Sequence, residues 1–252
     1  MKDNIKKIYV VGFPKSGNTW LVRLLADSLG GLIGGADKNE EIEKFNKRMR
    51  ERNPNPEFCI IKSHALPEDF FSEKKESIHG IVYTQRDFRD VIVSAFFHHH
   101  RRLDQGLVEK KALQEIISLG FVDACRHFVY RLLFWKELIY LVQRGWGGSM
   151  RWPEHIDRWQ AIEEKFPQIY MSFTSYESLK ANTPNSLGEI LKDLNLEVAS
   201  GIIDEAVRRQ SFENKKAYFQ QKYEETGDPK YQRLYTFMRK GRSGDWKNYF
   251  IL

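Results

Sequence analysis

The chain has 252 residues, 41% of them hydrophobic and 13% aromatic, which excludes a disordered chain and is enough for a sizeable core. A formal net charge of +6 favours an anionic partner without choosing between nucleotide, nucleic acid and acidic membrane. The two cysteines, Cys59 and Cys125, are too few for a disulfide framework, and MKDNIKK leads into no long apolar stretch. The expected setting is a reducing cytoplasm, with no signal peptide and no membrane anchor.

Tyr9-Val10-Val11 reads as a buried strand, followed by Gly12-Phe13-Pro14-Lys15-Ser16-Gly17-Asn18-Thr19. Trp20, Leu21, Leu24, Leu25 and Leu29 then recur at helical spacing until Gly30-Gly31. Strand, glycine loop and helix aim backbone N–H groups at an anion, so the loop is a candidate phosphate cradle. It fits the frame G-x-x-x-x-G-K-[ST] except that Asn18 stands where a nucleoside triphosphatase has its lysine, and the lysine appears as Lys15. A lysine inside the loop would meet the group carried on the 5′-phosphate itself.

A charged surface helix is predicted over 37–52, with Ile42, Phe45 and Met49 as a thin apolar stripe. Phe58-Cys59-Ile60-Ile61 is a second strand, with Lys62 and His64 just past its end, where open α/β sheets gather their chemistry. Ile81-Val82-Tyr83-Thr84 is a third strand and delivers Arg86 ahead of a helix carrying Val91, Ile92, Ala95 and Phe96. His98-His99-His100 point in different directions along that helix and have no spaced partner, so no metal site is expected. Phe121, Cys125, Phe128, Leu132, Trp135, Ile139 and Val142 step by four and three, predicting the longest helix as the main wall of the core. Ile169–Phe173 is a fourth strand; further helices are expected around 187–194 and 202–207. With no internal repeat and no low-complexity linker, one domain over 1–252 is expected.

Pro-Lys-Ser-Gly-Asn-Thr-Trp resembles the donor loop of the cytosolic sulfotransferases, which use 3′-phosphoadenosine 5′-phosphosulfate. Five further stretches carry the resemblance: Lys62-Ser63-His64-Ala65-Leu66-Pro67; Tyr83-x-x-Arg86-Asp87-x-x-Asp90-x-x-Val93-Ser94; Trp152-x-x-His155-Ile156-x-x-Trp159; Tyr176-Glu177-Ser178-Leu179-Lys180; and Arg239-Lys240-Gly241-x-x-Gly244-Asp245-Trp246-Lys247-Asn248. The resemblance implies an α/β fold with a P-loop-like central, mostly parallel sheet flanked by helices on both faces. It implies His64 as general base, with Lys15 and Lys62 on the leaving phosphate and the N–H groups of Ser16, Gly17, Asn18 and Thr19 behind it. Arg86, Ser94, Arg239, Lys240 and Gly241 would hold the 3′-phosphate, with Phe237 and Met238 adjoining. Trp20, Tyr176 and Phe212 would hold the adenine, and His98, Trp152 and His155 would line the acceptor pocket.

The product nucleotide would be adenosine 3′,5′-bisphosphate, and no metal would be needed. The acceptor would be a small, polar molecule; neither nucleic acid nor membrane is an expected partner. Gln210 departs from the family's threonine beside the adenine-stacking phenylalanine. The family's N-terminal acceptor-lining segment and C-terminal dimer motif are not found, which leaves the acceptor and the oligomeric state open. A P-loop kinase is disfavoured by Asn18 and the lack of a Mg²⁺-binding carboxylate strand. A nucleic-acid binder would explain the charge but not the ordered set Lys15, His64, Arg86.

Overall fold

The computed structural model describes residues 5–35, 40–73, 78–100, 113–146, 150–238 and 240–250. Two compact units divide the chain: Met1–Arg86 with Pro153–Tyr218, and Asp87–Trp152 with Phe219–Leu252.

The first unit is built on five parallel strands, β1 (Lys6–Val11), β2 (Leu32–Gly34), β3 (Phe58–Ser63), β4 (Ile78–Gln85) and β5 (Tyr170–Ser175), in the order β2-β3-β1-β4-β5. Buried parallel strands read as near-continuous apolar runs, which is why β1, β3 and β4 were visible in sequence. Alternate residues leave opposite faces of the sheet. Ile8, Val10, Ile60 and Val82 enter one core with α1 (Asn18–Ser28), α2 (Glu40–Arg52), α9 (Thr183–Asp193) and α10 (Ser200–Arg209). On the other face Tyr9 and Trp159 pack edge-on against Phe70, at 4.9 and 5.3 Å between ring centroids. Phe70 lies on α3 (Pro67–Glu73) and Trp159 on α7 (Trp152–Gln160). The sheet is thus parallel and covered by helices on both faces. The central strand β1 has β3 on one side and β4 on the other, so the chain reverses direction of winding at its carboxyl end. Open α/β sheets bind ligands at such a point.

The second unit packs α4 (Phe88–His99) on α6 (Phe121–Arg144) around Phe96, Phe97, Phe134 and Leu141, closed by Trp246 and Tyr249. Here one expectation fails. The stripe from Phe121 to Val142 is not a core wall: Phe121 is 84% exposed, Leu132 70% and Ile139 52%. The buried face of α6 is instead His127, Phe134 and Leu141, a repeat of seven that its aromatic-rich opposite face hid. Cys125, expected in apolar surroundings, is exposed for the same reason. Among the described residues no helix is long and apolar enough to cross a membrane.

Candidate active site

β1 and β3 end at one level beside β4, which runs two residues further to Gln85: Val11 of β1 pairs with Ser63 of β3 and with Tyr83 of β4. The residues just beyond them are Gly12, His64 and Thr84, so the sheet brings the loop, the candidate base and the start of the Arg86 segment together.

The loop 12–17 is held against the sheet by contacts only glycine allows. A Cβ on Gly12 would lie 2.2 Å from the Thr84 carbonyl oxygen, and one on Gly17 2.7 Å from the Tyr176 ring. Lys15 and Gly17 both take left-handed backbone conformations, at φ 73° and 94°. Such alternation turns successive N–H groups to one side and makes an anion-binding concavity. Helix α1 then starts with no side-chain cap on Gly17. The N–H groups of Gly17, Asn18 and Thr19 donate to no group among the described residues. The buried Ser16 hydroxyl, which can donate, has no partner there either. Buried polar atoms are nearly always paired, so this concentration of orphans around one loop is the signature of a place made for an anion.

The Asn18 amide itself donates to the Gly12 carbonyl at 3.2 Å. It therefore fastens the loop internally, in the position where a triphosphatase lysine would reach outward.

His64 follows β3 directly and is half-buried. Its Nδ1 lies 2.7 Å from the Gly12 carbonyl oxygen. A carbonyl only accepts, so Nδ1 carries the proton; in the neutral imidazole the lone pair is then on Nε2. Lys62, two residues earlier, is half-buried and pairs in register with Val10.

Arg86 is 9% exposed and donates to the Lys15 carbonyl at 3.3 Å. Its guanidinium lies 4.3 Å from the centre of the Tyr176 ring, and that ring meets Trp20 edge-on at 6.0 Å. Tyr176 opens helix α8 (Tyr176–Ala181), capped by the Ser175 hydroxyl, which is what sets its ring against Gly17. Trp20 donates its indole N–H to the Gln210 carbonyl at 3.0 Å. Phe212, at the start of α11 (Phe212–Thr226), is half-buried under the Lys216 ammonium, 5.6 Å from its ring centre.

His155 is fully buried, with Nδ1 2.8 Å from the Tyr83 hydroxyl. Burial lowers its pKa to about 4; the nearby backbone of His64 and Ala65 opposes that, and the His64 ring adds to it. His155 is thus a neutral group behind His64 rather than an open pocket lining, and burial in turn raises the Tyr83 hydroxyl well above its ordinary range.

The second unit holds the remaining candidates. Asp90 accepts from the backbone N–H of Gly244 at 2.7 Å and of Trp246 at 2.9 Å. Arg89 lies 3.6 Å over the Trp246 ring. One carboxylate thereby ties the 240–250 segment to α4, and Ser94 stands one helical turn beyond it, half-buried. The Lys240 ammonium donates to Asp245 and to the Tyr249 hydroxyl, both at 3.2 Å, and Gly241 is left-handed at φ 59°. Met238 is half-buried; Arg239 and the Phe237 side chain lie outside the described residues. Trp152 packs on Phe88 at 5.3 Å, and His98 lies beside Trp146 at 6.2 Å. Among the described residues no group of three or more His, Cys, Asp or Glu side chains is placed to hold a metal ion.

Comparison with known proteins decides the family. The family model described as the sulfotransferase domain matches residues 6–251. The chain belongs to the sulfotransferase family. It is accordingly an enzyme of the class that draws on 3′-phosphoadenosine 5′-phosphosulfate. Sulfotransferase 1E1 of Bos taurus is 26% identical, over 97% of this chain and 78% of the relative. The flavonol 3-sulfotransferase of Flaveria bidentis is also 26% identical, over 99% and 78%. The amine sulfotransferase of Oryctolagus cuniculus is 24% identical, over 97% and 75%. Among solved structures, mouse sulfotransferase SULT7A1 complexed with PAP superposes with a TM-score of 0.62 at 21% identity, over 99% of this chain and 79% of that one. Retinol dehydratase in complex with androsterone and PAP gives 0.55 at 18% identity, over 97% and 76%.

Two structural participants escaped the sequence reading. One is Asp27, whose carboxylate accepts from Arg52, Arg209 and Gln210 at 2.9, 2.9 and 2.6 Å. Its signal was an acid in the last turn of a helix, where the macrodipole disfavours it, so it required partners. The other is the Gly12 carbonyl, shared by His64 and Asn18, which side-chain patterns cannot reveal.

Proposed function

We propose that this enzyme transfers a sulfuryl group from 3′-phosphoadenosine 5′-phosphosulfate to a hydroxyl or amine of a small, polar acceptor, with His64 as general base. The observation that carries this reading is the Gly12–Thr19 loop, where the N–H groups of Gly17, Asn18 and Thr19 donate to no group among the described residues, beside a histidine whose Nδ1 faces the loop's own carbonyl. The donor, when bound, supplies a sulfuryl group on a good phosphate leaving group. Nε2 of His64 takes the acceptor proton as the nucleophile attacks. Lys15, with Lys62, neutralises charge as it builds on the departing phosphate, and the N–H groups of Gly17 to Thr19 fix its oxygens. Arg86, Ser94, Lys240, Gly241 and Arg239 are the residues assigned to the 3′-phosphate; a guanidinium suits that task because its planar fork meets two oxygens at once. Trp20, Tyr176 and Phe212 are assigned to the adenine, and His98 and Trp152 to the acceptor side, with His155 buried behind His64. The relatives include one named for a flavonol and one for amines, so both nucleophile types fall within the family's range. Both cysteines are free thiols, in keeping with a cytoplasmic setting.

A thermal-shift comparison tests the donor. Adenosine 3′,5′-bisphosphate at 100 times its dissociation constant adds about 2.7 kcal/mol, a shift on the order of 5–10 °C for this length. It should do so with chelator present, while ATP at the same concentration shifts far less. A larger stabilisation by ATP with Mg²⁺ would overturn the reading. Mass spectrometry of an acceptor panel identifies the sulfated product; turnover of simple phenols alone would refute a polar acceptor.

A further inference from the structure

His155 stands at both ends of the hydrogen bond that orients His64. That bond runs from Nδ1 of His64 to the Gly12 carbonyl at 2.7 Å. On the loop side, the buried ring of Phe13, the residue after Gly12, meets the His155 ring edge-on at 6.0 Å between centroids. On the base side, the backbone of His64 and Ala65 acts on the His155 ring in the sense that favours a proton there. Helix α7 brings a second side chain to the same backbone one turn on, where the Trp159 indole N–H donates to the Ala65 carbonyl at 3.1 Å. His155 and Trp159 are both fully buried, so their surroundings are protein alone.

The protons of this cluster can be placed. The buried Tyr83 hydroxyl lies 2.8 Å from Nδ1 of His155 and has no other partner among the described residues, so it donates there. The neutral His155 ring then carries its own proton on Nε2. Nε2 is buried with no aligned partner among the described residues, and the backbone of His64 and Ala65 is what favours a proton on this ring. Carbonyl surroundings suit an N–H and repel a bare lone pair. A leucine would fill the space of His155 without burying two polar groups, which is costly unless they are used. What the polar pair does at this place is fix where the His64 backbone sits against the loop.

We propose that His155, fixed by the Tyr83 hydroxyl, is a positioning residue for the general base: it holds the His64 backbone so that Nδ1 of His64 stays on the Gly12 carbonyl and Nε2 keeps the lone pair that takes the acceptor's proton. This rests on the reading of His64 as the base. The test replaces both buried partners together, because Tyr83→Phe/His155→Leu strands no polar group and should fold with a Tm near that of the wild type. Its kcat should fall roughly 10–10²-fold, the cost of a slightly misplaced reacting group, while the acceptor KM and the bisphosphate affinity stay within a few-fold. Tyr83→Phe alone, which removes one oxygen, should show the same pattern in smaller measure. His155→Gln, whose amide can accept from Tyr83 and donate to the backbone, should recover most of the lost turnover. In a His64→Asn background the double variant should cost nothing further, since residues that act as one unit are not additive. Histidine ¹⁵N spectra should show neutral His64 protonated at Nδ1 in the wild type and shifted towards protonation at Nε2 in the double variant. Wild-type kcat in the double variant, a loss of bisphosphate affinity equal to the loss of kcat, or a further tenfold loss on top of His64→Asn would each overturn the proposal while leaving His64 as the base. Wild-type turnover in His64→Asn itself would remove the base, and the proposal with it.

Discussion

Replacing His64 separates its chemistry from its place in the loop. The two imidazole nitrogens have distinct roles: Nδ1 donates to the Gly12 carbonyl at 2.7 Å, and Nε2 carries the lone pair. His64→Asn keeps a short amide that can still donate to Gly12 but has no basic nitrogen. His64→Ala removes both functions. In either variant the Gly12 carbonyl retains the Asn18 amide at 3.2 Å, so the loop keeps one of its two fasteners. Loss of one neutral hydrogen bond is worth about 0.5–1.5 kcal/mol, which bounds the change in bisphosphate affinity at roughly tenfold. Loss of the base is a different magnitude, roughly 10²–10⁴ in turnover, or about 3–5 kcal/mol of transition-state stabilisation. Turnover is read by mass spectrometry with an acceptor that the wild type accepts, and bisphosphate affinity by calorimetry. Asn and Ala should fall by the same large factor in kcat while differing little from wild type in affinity. Turnover within a few-fold of wild type in His64→Asn would remove His64 from the mechanism. A loss of turnover matched by an equal loss of bisphosphate affinity would make it a loop support and nothing more.

Gly17→Ala puts a Cβ at φ 94° and 2.7 Å from the Tyr176 ring, and should cost about 1–3 kcal/mol in urea unfolding together with most of the bisphosphate binding. Unchanged stability would mean that the loop is not held as described. Asp27→Ala leaves Arg52, Arg209 and Gln210 without their common acceptor. Because Arg52 and Arg209 are 45% and 27% exposed, the loss should be about 2–4 kcal/mol, below that of a fully buried pair, and visible as a Tm lower by on the order of 5–15 °C. A Tm within a degree or two of wild type would refute it. His155 titrates near 4 when folded, against 6.5 for the unfolded chain. The unfolded state therefore takes up the proton first, and stability should fall by roughly 3 kcal/mol as pH drops from 6.5 towards 4. His155→Gln should flatten that slope in pH-dependent urea titrations; equal slopes in variant and wild type would count against a neutral, buried His155.

What was legible in the sequence follows from how local each signal is. The strands β1, β3 and β4 carry short apolar runs, and the loop, His64 and Arg86 stand immediately after them, so motif and placement came together. Strand β2 is three residues long and ends at Gly34, where a Cβ would lie 2.5 Å from Cys59 Sγ. No periodicity exists over so short a span, and its partner across the sheet is distant in sequence. Helix α11 was missed because it is charged nearly all round and buries a single residue, Phe219. Helix α12 (Pro229–Phe237) had a readable start, Pro229 after an Asp228 whose carboxylate accepts from Lys230, but little apolar face to extend it. Periodicity over 121–142 was correct about the helix and wrong about the core, because a repeat shows that a face is apolar without showing what covers it. His155 illustrates the converse. Its motif suggested an open aromatic wall, and only the tertiary partner Tyr83 explains why it is closed.

The departure at Gln210 has a structural explanation that the motif comparison could not supply. The group that meets Trp20 is the Gln210 backbone carbonyl, which any residue could provide. The side chain turns the other way, is 4% exposed and donates to Asp27 at 2.6 Å, beside Arg209 on the same carboxylate. Desolvation alone would raise the Asp27 carboxyl, yet the three donors outweigh it and hold its pKa below the usual value. A threonine hydroxyl is too short to reach where the Gln210 amide reaches, so glutamine at this position fits an acid at 27 rather than a changed nucleoside contact. Asp27 sits two turns along α1 from Trp20, and Gln210 ends α10; the network thus joins the helix that begins at the anion loop to the segment that carries Phe212. If the two are coupled, Gln210→Thr in the native background should lower stability by about 1–3 kcal/mol, the cost of one lost hydrogen bond to a buried charge. It should leave bisphosphate affinity close to wild type, since the carbonyl that holds Trp20 is unchanged. A large affinity change with no loss of stability would place the Gln210 side chain in the nucleoside pocket after all.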